Sequence, residues 1–152
     1  TIPSIAFFVL MPLILGTSII SPVNVLVALT IYTMALMVRS GVDAFNAVPE
    51  HVVESSRALG YTPARAFFTV ELPLALPVLF AGIRVATVAN IAMVSVGAVI
   101  GVSSLGTLFT DGLARSIPAE LITGVVLSAV LAYLADALLA LTARRLTAWR
   151  TA

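Results

Sequence analysis

The chain has 152 residues, of which 61% are hydrophobic and only 10% charged, with a formal net charge of +1, one histidine and no cysteine. Soluble domains carry about 25% charged residues, so this composition belongs to a membrane protein. It excludes disulfides and thiolate metal sites, leaves His51 unable to build a metal site alone, and offers no basis for a nucleic-acid partner.

A helical crossing of the bilayer takes about 20 residues. Residues 2–20 carry no charge, and Ser21-Pro22 separates them from residues 23–38, which are also uncharged and end at Arg39. Pro12 predicts a kink in the first span. The third span covers residues 73–100 with the single charge Arg84, and the fourth covers 121–142 with the single charge Asp136. One central Arg or Asp costs about 2.5–3.5 kcal/mol on insertion scales, which the surrounding apolar residues outweigh. Lipid gives open strand edges no partner, so the spans are helical. The expectation is an all-α integral membrane protein, a single transmembrane domain over residues 1–152. The chain opens on Thr1 within an apolar stretch, which suggests a preceding segment.

Arginine placement sets the orientation. Arg39, Arg57 and Arg65 lie in or beside the loop at residues 40–71, and Arg144, Arg145 and Arg150 follow the fourth span. The positive-inside rule makes both regions cytoplasmic, and Gly101–Pro118, with Arg115 its one basic residue, then faces outward.

The cytoplasmic loop is too long for a mere connection. Pro49 suits a first helical position and Glu50 the positive end of a helix dipole, which predicts a helix through Leu59. Gly60 fits a left-handed cap, and Thr62-Pro63 supplies an N-cap and first-position proline for a second short helix. Leu72 and Pro73 close the unit, and Pro77 distorts the first turns of the third span. The loop therefore reads as a helix-bend-helix knob.

Glu54, Gly60 and the run Val70-Glu71-Leu72-Pro73 resemble the EAA signature of ABC-importer permeases, with Ser55 and Ser56 in place of its two alanines and Val70 in place of its isoleucine. The stretches TIPSIAFFVLMPLI, ELPLALPVLFAGIRVATV and VGAVIGVSSLGTLFTDGL are similar to permeases of the glycine betaine, carnitine and choline group. The resemblance covers nearly the whole chain. It implies further spans ahead of Thr1, a knob that docks into a groove on a separate ATPase subunit, a second permease chain, and an extracytoplasmic binding protein that delivers the solute. ATP and Mg would be bound by the ATPase, and this chain would bind no cofactor. Glu54 and Gly60 then carry over as the signature's acid and glycine. Ser55, Ser56, Ala58, Leu59 and Tyr61 become docking residues beside the bend, and Arg57 or Arg65 pairs with acids on the ATPase.

Plainer readings stand beside these. Glu54 and Arg57 have the spacing of a simple surface pair, worth about 0.2–0.5 kcal/mol. At about 1.5 Å per residue, Arg84 lies about 16 Å along the third span and Asp136 about 10 Å from the same surface. Either they form an ion pair joining two helices, or each faces a water-filled vestibule. Asn90 and Ser95 line a pathway or bond between helices. Gly101 and Gly106 serve turns or a gate. No Walker-type phosphate loop is present. An ion-coupled transporter would use Arg84, Asn90 and Asp136 as its site and would not need the knob. A structural membrane subunit would use the knob only as a handle.

Overall fold

The computed structural model describes residues 4–18 and 20–147. Seven α-helices are described: α1 (Ser4–Leu15), α2 (Pro22–Asn46), α3 (Glu50–Ala58), α4 (Pro63–Ala66), α5 (Leu72–Val96), α6 (Thr107–Ala114) and α7 (Pro118–Leu146). A π-helical turn, Phe67–Glu71, joins α4 to α5, and a 3-10 turn, Gly97–Ile100, follows α5. Among the described residues there is no β-strand.

Among the described residues, three helices are long and apolar enough to cross a membrane: Pro22–Asn46, the run Pro63–Ile100, and Pro118–Leu146. Their most apolar windows are only 17%, 11% and 6% buried. Leu13, Ile14, Leu26, Met34, Tyr133 and Leu138 are all more than 60% exposed. So much outward-facing apolar surface suits lipid as the surrounding solvent.

Several expected boundaries move. The sequence places the end of the first span at residue 20, but Gly16 ends α1 at φ +63°; residues 2, 3 and 19 of the expected span lie outside the described residues. The second span does not end at Arg39. The helix continues to Asn46, because a single arginine does not break a hydrogen-bond ladder, so residues 40–46 belong to α2 and not to the loop. Pro49 is the N-cap of α3 and not its first helical residue. The fourth span begins at Pro118, which suits a first helical position, three residues before the expected start.

The largest departure is at Leu72-Pro73. These residues do not close a separate unit, for the helix runs unbroken from Pro63 to Ile100. Pro73 has no N–H to offer the turn beneath it. The π-turn accommodates this: the ladder widens there, and the Leu72 N–H donates to the Phe67 carbonyl, five residues back.

The chain divides into two compact units. In the first, Thr1–Ala35 with Thr87–Asp136, the core is Met11, Val25, Ala28, Leu29 and Val102, with Met93 and Val96 packed against it. Asn24 is fully buried there and both ends of its amide are satisfied: Nδ2 donates to the Ser18 carbonyl at 2.8 Å, and Oδ1 accepts from the Thr17 hydroxyl. It fastens the turn between α1 and α2. In the same unit the Ser95 carbonyl approaches Gly106 so closely that a Cβ there would lie 1.9 Å from its oxygen.

The turn that caps α6 contains Ser116, the one non-glycine residue at positive φ among those described, at +54°. The Ile117 N–H donates to the Gly112 carbonyl at 2.9 Å and the Ser116 N–H to the Leu113 carbonyl at 3.3 Å, the bonds of a left-handed cap. A side chain costs about 1 kcal/mol in that conformation, partly offset by the greater freedom of an unfolded glycine. Ser116→Gly is therefore expected to stabilise the protein by about 0.5 kcal/mol, read as a higher thermal midpoint in detergent.

Candidate functional site: the helix-bend-helix knob

The knob lies in the second unit, Leu36–Ala86 with Ala137–Ala152. Helix α3 has Glu50 in its first turn and Arg57 in its last, the signs that suit the dipole at each end. It ends in a complete left-handed cap. The Gly60 N–H donates to the Arg57 carbonyl at 2.9 Å and the Tyr61 N–H to the Ser56 carbonyl at 3.2 Å, with Gly60 at φ +83°. Two residues later the Thr62 hydroxyl accepts from the Arg65 N–H at 3.4 Å, and Pro63 takes the first position of α4. Both halves of the bend are thus fixed by backbone bonds.

Small residues form the inside of this unit. Ala44, Ser56, Ala66 and Ala75 are each no more than 5% exposed. Ser56 departs from the docking role expected of it: its side chain points inward, with Oγ donating to the Val53 carbonyl at 2.7 Å, so it packs the bend and presents no surface. Phe45, at the end of α2, stacks on Phe67 with ring centroids 5.5 Å apart, and Phe68 meets Phe67 edge-on at 5.1 Å. These rings anchor the knob, a role that sequence reading did not assign to them.

Outward, the knob offers Glu54, Ser55, Arg57, Ala58, Leu59 and Gly60, all exposed. Leu59 stands at the apex, 78% exposed. Arg65 is exposed, and its guanidinium lies over the half-buried Tyr61 ring, 4.5 Å from the centroid. That contact, worth about 0.5–1 kcal/mol, holds the cation beside the bend. The surface is a leucine between an acid and two arginines, on a backbone with little freedom to deform.

The other expected residues lie elsewhere. Leu72 and Pro73 are half-buried where the π-turn enters α5. Arg84 is half-buried in α5, within the second unit, and Asp136 is half-buried in α7, at the end of the first. Asn90 Nδ2 donates to the Thr33 hydroxyl at 2.7 Å, joining α5 to α2. The single hydroxyl hydrogen of Thr33 has two acceptors in reach, the Leu29 carbonyl at 2.7 Å and Asn90 Oδ1 at 3.0 Å. Ser95 bonds its own helix at the Ile91 carbonyl, 3.3 Å away.

The sequence pattern of the family described as binding-protein-dependent transport system inner membrane component matches residues 1–148. The chain is similar to the osmoprotectant import permease protein OsmW of Salmonella typhimurium, 39% identical over 142 residues, which are 91% of this chain and 66% of that protein. It is also similar to the choline transport system permease protein OpuBB of Bacillus subtilis, 35% identical over 97% of this chain and 66% of that one. The chain thus spans just under two thirds of the length of both relatives. Among solved structures it is similar to a chain of the MetNI methionine ABC transporter in inward-facing conformations, with a TM-score of 0.83 and 28% identity, over 96% of this chain and 69% of that one.

Proposed function

The chain belongs to the binding-protein-dependent transport system inner membrane components, and from this we propose that it is the membrane-spanning permease subunit of an ATP-driven importer for a small osmoprotectant of the glycine betaine, choline, carnitine or proline type. The observation that carries the reading is the knob. A bend fixed by the caps at Gly60 and Thr62, with Leu59 exposed at its apex, is built to be gripped by another protein and moved as a body. Helix α4 continues through the π-turn into α5, so displacement of the knob acts directly on a membrane-length helix.

In this reading the knob and the last arginines, Arg144 and Arg145, face the cytoplasm. ATPase subunits grip the knob and hold ATP and Mg; this chain contributes no catalytic residue. A second permease chain completes the pathway, and an extracytoplasmic binding protein delivers the solute. The osmoprotectant class is supported by similarity to OsmW and OpuBB, whose names specify osmoprotectant and choline transport.

The test is uptake into liposomes by the reconstituted complex, with glycine betaine, choline, carnitine and proline competing against methionine and a sulfonate. Competition by the first four supports the assignment; competition by the last two alone sinks it. Glu54→Lys reverses a charge on the docking face and is expected to weaken ATPase binding at least tenfold in pull-down titrations while the permease still inserts. Unaltered binding would remove Glu54 from the contact.

A further inference from the structure

We propose that residues 101–106 form a strap folded back along the outer end of α5, fastened by a clasp at Ser104, and that release of the clasp is a step in transport; this deepens the permease reading and rests on it. Both ends of the strap are anchored within the first unit. At its start Gly101 stands at φ +88°, its N–H donates to the Ala98 carbonyl at 3.0 Å, and the Val102 N–H donates to the Gly97 carbonyl at 3.2 Å. Val102 itself is buried in the core. At its end Gly106 is pressed against the Ser95 carbonyl, and the Thr107 N–H donates to the Ser104 carbonyl at 3.0 Å. A chain that leaves α5 beyond Ile100 and meets Ser95 again at Gly106 has doubled back over the last turns of that helix.

Between these anchors Ser103, Ser104 and Leu105 are not buried. The Ser104 hydroxyl donates to the Val94 carbonyl at 3.1 Å and accepts from the Gly106 N–H at 3.2 Å. Helix α5 stops at Val96, so Val94 belongs to the last turn, whose carbonyls the α-ladder leaves open. One serine thus gives a donor to the end of α5 and an acceptor to the approach to α6. The next residue, Leu105, helps to wall a cavity of about 320 Å³ together with Ile91 and Val94 of α5 and Leu131 of α7.

The clasp can open without stranding the carbonyl. In the 3-10 turn Gly97–Ile100 each N–H reaches three residues back; in a continued α-helix the Ala98 N–H would reach four back, to Val94. The Ser104 hydroxyl and the Ala98 N–H are therefore alternative donors to the same oxygen. Exchanging one neutral hydrogen bond for another costs little, which is the balance a two-state element needs. In the state seen, the serine holds the carbonyl, α5 is short and Leu105 is in the cavity wall. In the released state α5 gains residues of helix, and the strap lifts and takes Leu105 out of that wall.

The chain has no cysteine, so a single introduced thiol reports alone. Ile91→Cys places one in the cavity that Leu105 helps to wall, and its reaction with a membrane-impermeant maleimide is followed in the full complex, in right-side-out vesicles. Adding Ser104→Ala, which removes the clasp, is expected to speed labelling at least fivefold; Ser104→Thr, which keeps a hydroxyl, should return it to the slow rate. Solute uptake per ATP hydrolysed, measured without the reporter thiol, is expected to fall at least threefold in Ser104→Ala and to recover in Ser104→Thr. A serine that served only stability would shift the thermal midpoint and leave that ratio alone. Equal labelling rates with serine, alanine and threonine at position 104, or an unchanged uptake per ATP in Ser104→Ala, overturns the clasp. Ser103→Cys tests the permease orientation separately, because residue 103 is exposed on the strap. Labelling of that thiol from outside supports the orientation, and labelling only from the inner side overturns it whatever the clasp does.

Discussion

Gly106→Ala is expected to destabilise the protein by at least about 3 kcal/mol, the upper range for overpacking a close-packed interior. The added Cβ would lie 1.9 Å from the Ser95 carbonyl oxygen, 2.7 Å from its carbon and 2.9 Å from Ala98 Cβ. Two of these atoms are backbone, so no rotamer change relieves the clash; the start of α6 must separate from α5. Gly41→Ala is the matched control. A Cβ at Gly41 meets nothing within 4 Å, and the helix around it gains about 0.5–1 kcal/mol from alanine. Unfolding of both variants in detergent, followed by circular dichroism, should give shifts of opposite sign. Equal stability of Gly106→Ala and wild type would mean that α6 does not sit against Ser95.

Gly60→Val is expected to abolish ATP-dependent uptake while leaving membrane insertion intact. The site has room, since a Cβ there meets nothing within 4 Å, so the penalty comes from the backbone alone. A β-branched residue at φ +83° costs about 1–3 kcal/mol. The chain escapes that strain by leaving the left-handed region, which breaks the bonds from Gly60 and Tyr61 to the last turn of α3 and swings Leu59 away from its direction. Gly60→Asn, which tolerates positive φ, should keep most of the uptake. If the valine variant transports as well as the asparagine variant, the bend does not aim the docking surface.

The knob was legible in the sequence because its punctuation is local. Gly60 and Thr62-Pro63 act through bonds to residues within five positions, and such signals survive without knowledge of the tertiary structure. The helix ends near the membrane were less legible, because hydropathy marks where lipid ends and not where hydrogen bonding ends. Helix α2 runs past Arg39 to Asn46 on that account. The π-turn was hidden because two prolines in five residues look like a stop, whereas a widened ladder accommodates Pro73 and α5 runs on with Pro77 inside it. Ser56 looked like a surface serine because the signature names residues without saying which way they point. Asn24 did leave a trace, as the one amide at the start of an otherwise apolar span.

The π-turn also carries a phase. Each α-helical residue advances about 100° around the axis, so the one extra residue held in Phe67–Glu71 resets the angular relation between the helical turns on its two sides. Within the second unit, Ala66 and the Phe45–Phe67 stack lie at or before that point, whereas Ala75 and Gly82, the latter facing Ser40, lie after it. Deleting a residue between this turn and Ala75 would rotate one set against the other by about 100°, although no side chain in either set had changed, whereas the widened turn itself can give up its extra residue by closing into regular α-helix. A helix with this interruption keeps its two sets of contacts in phase only while the count of residues between the turn and each set is unchanged.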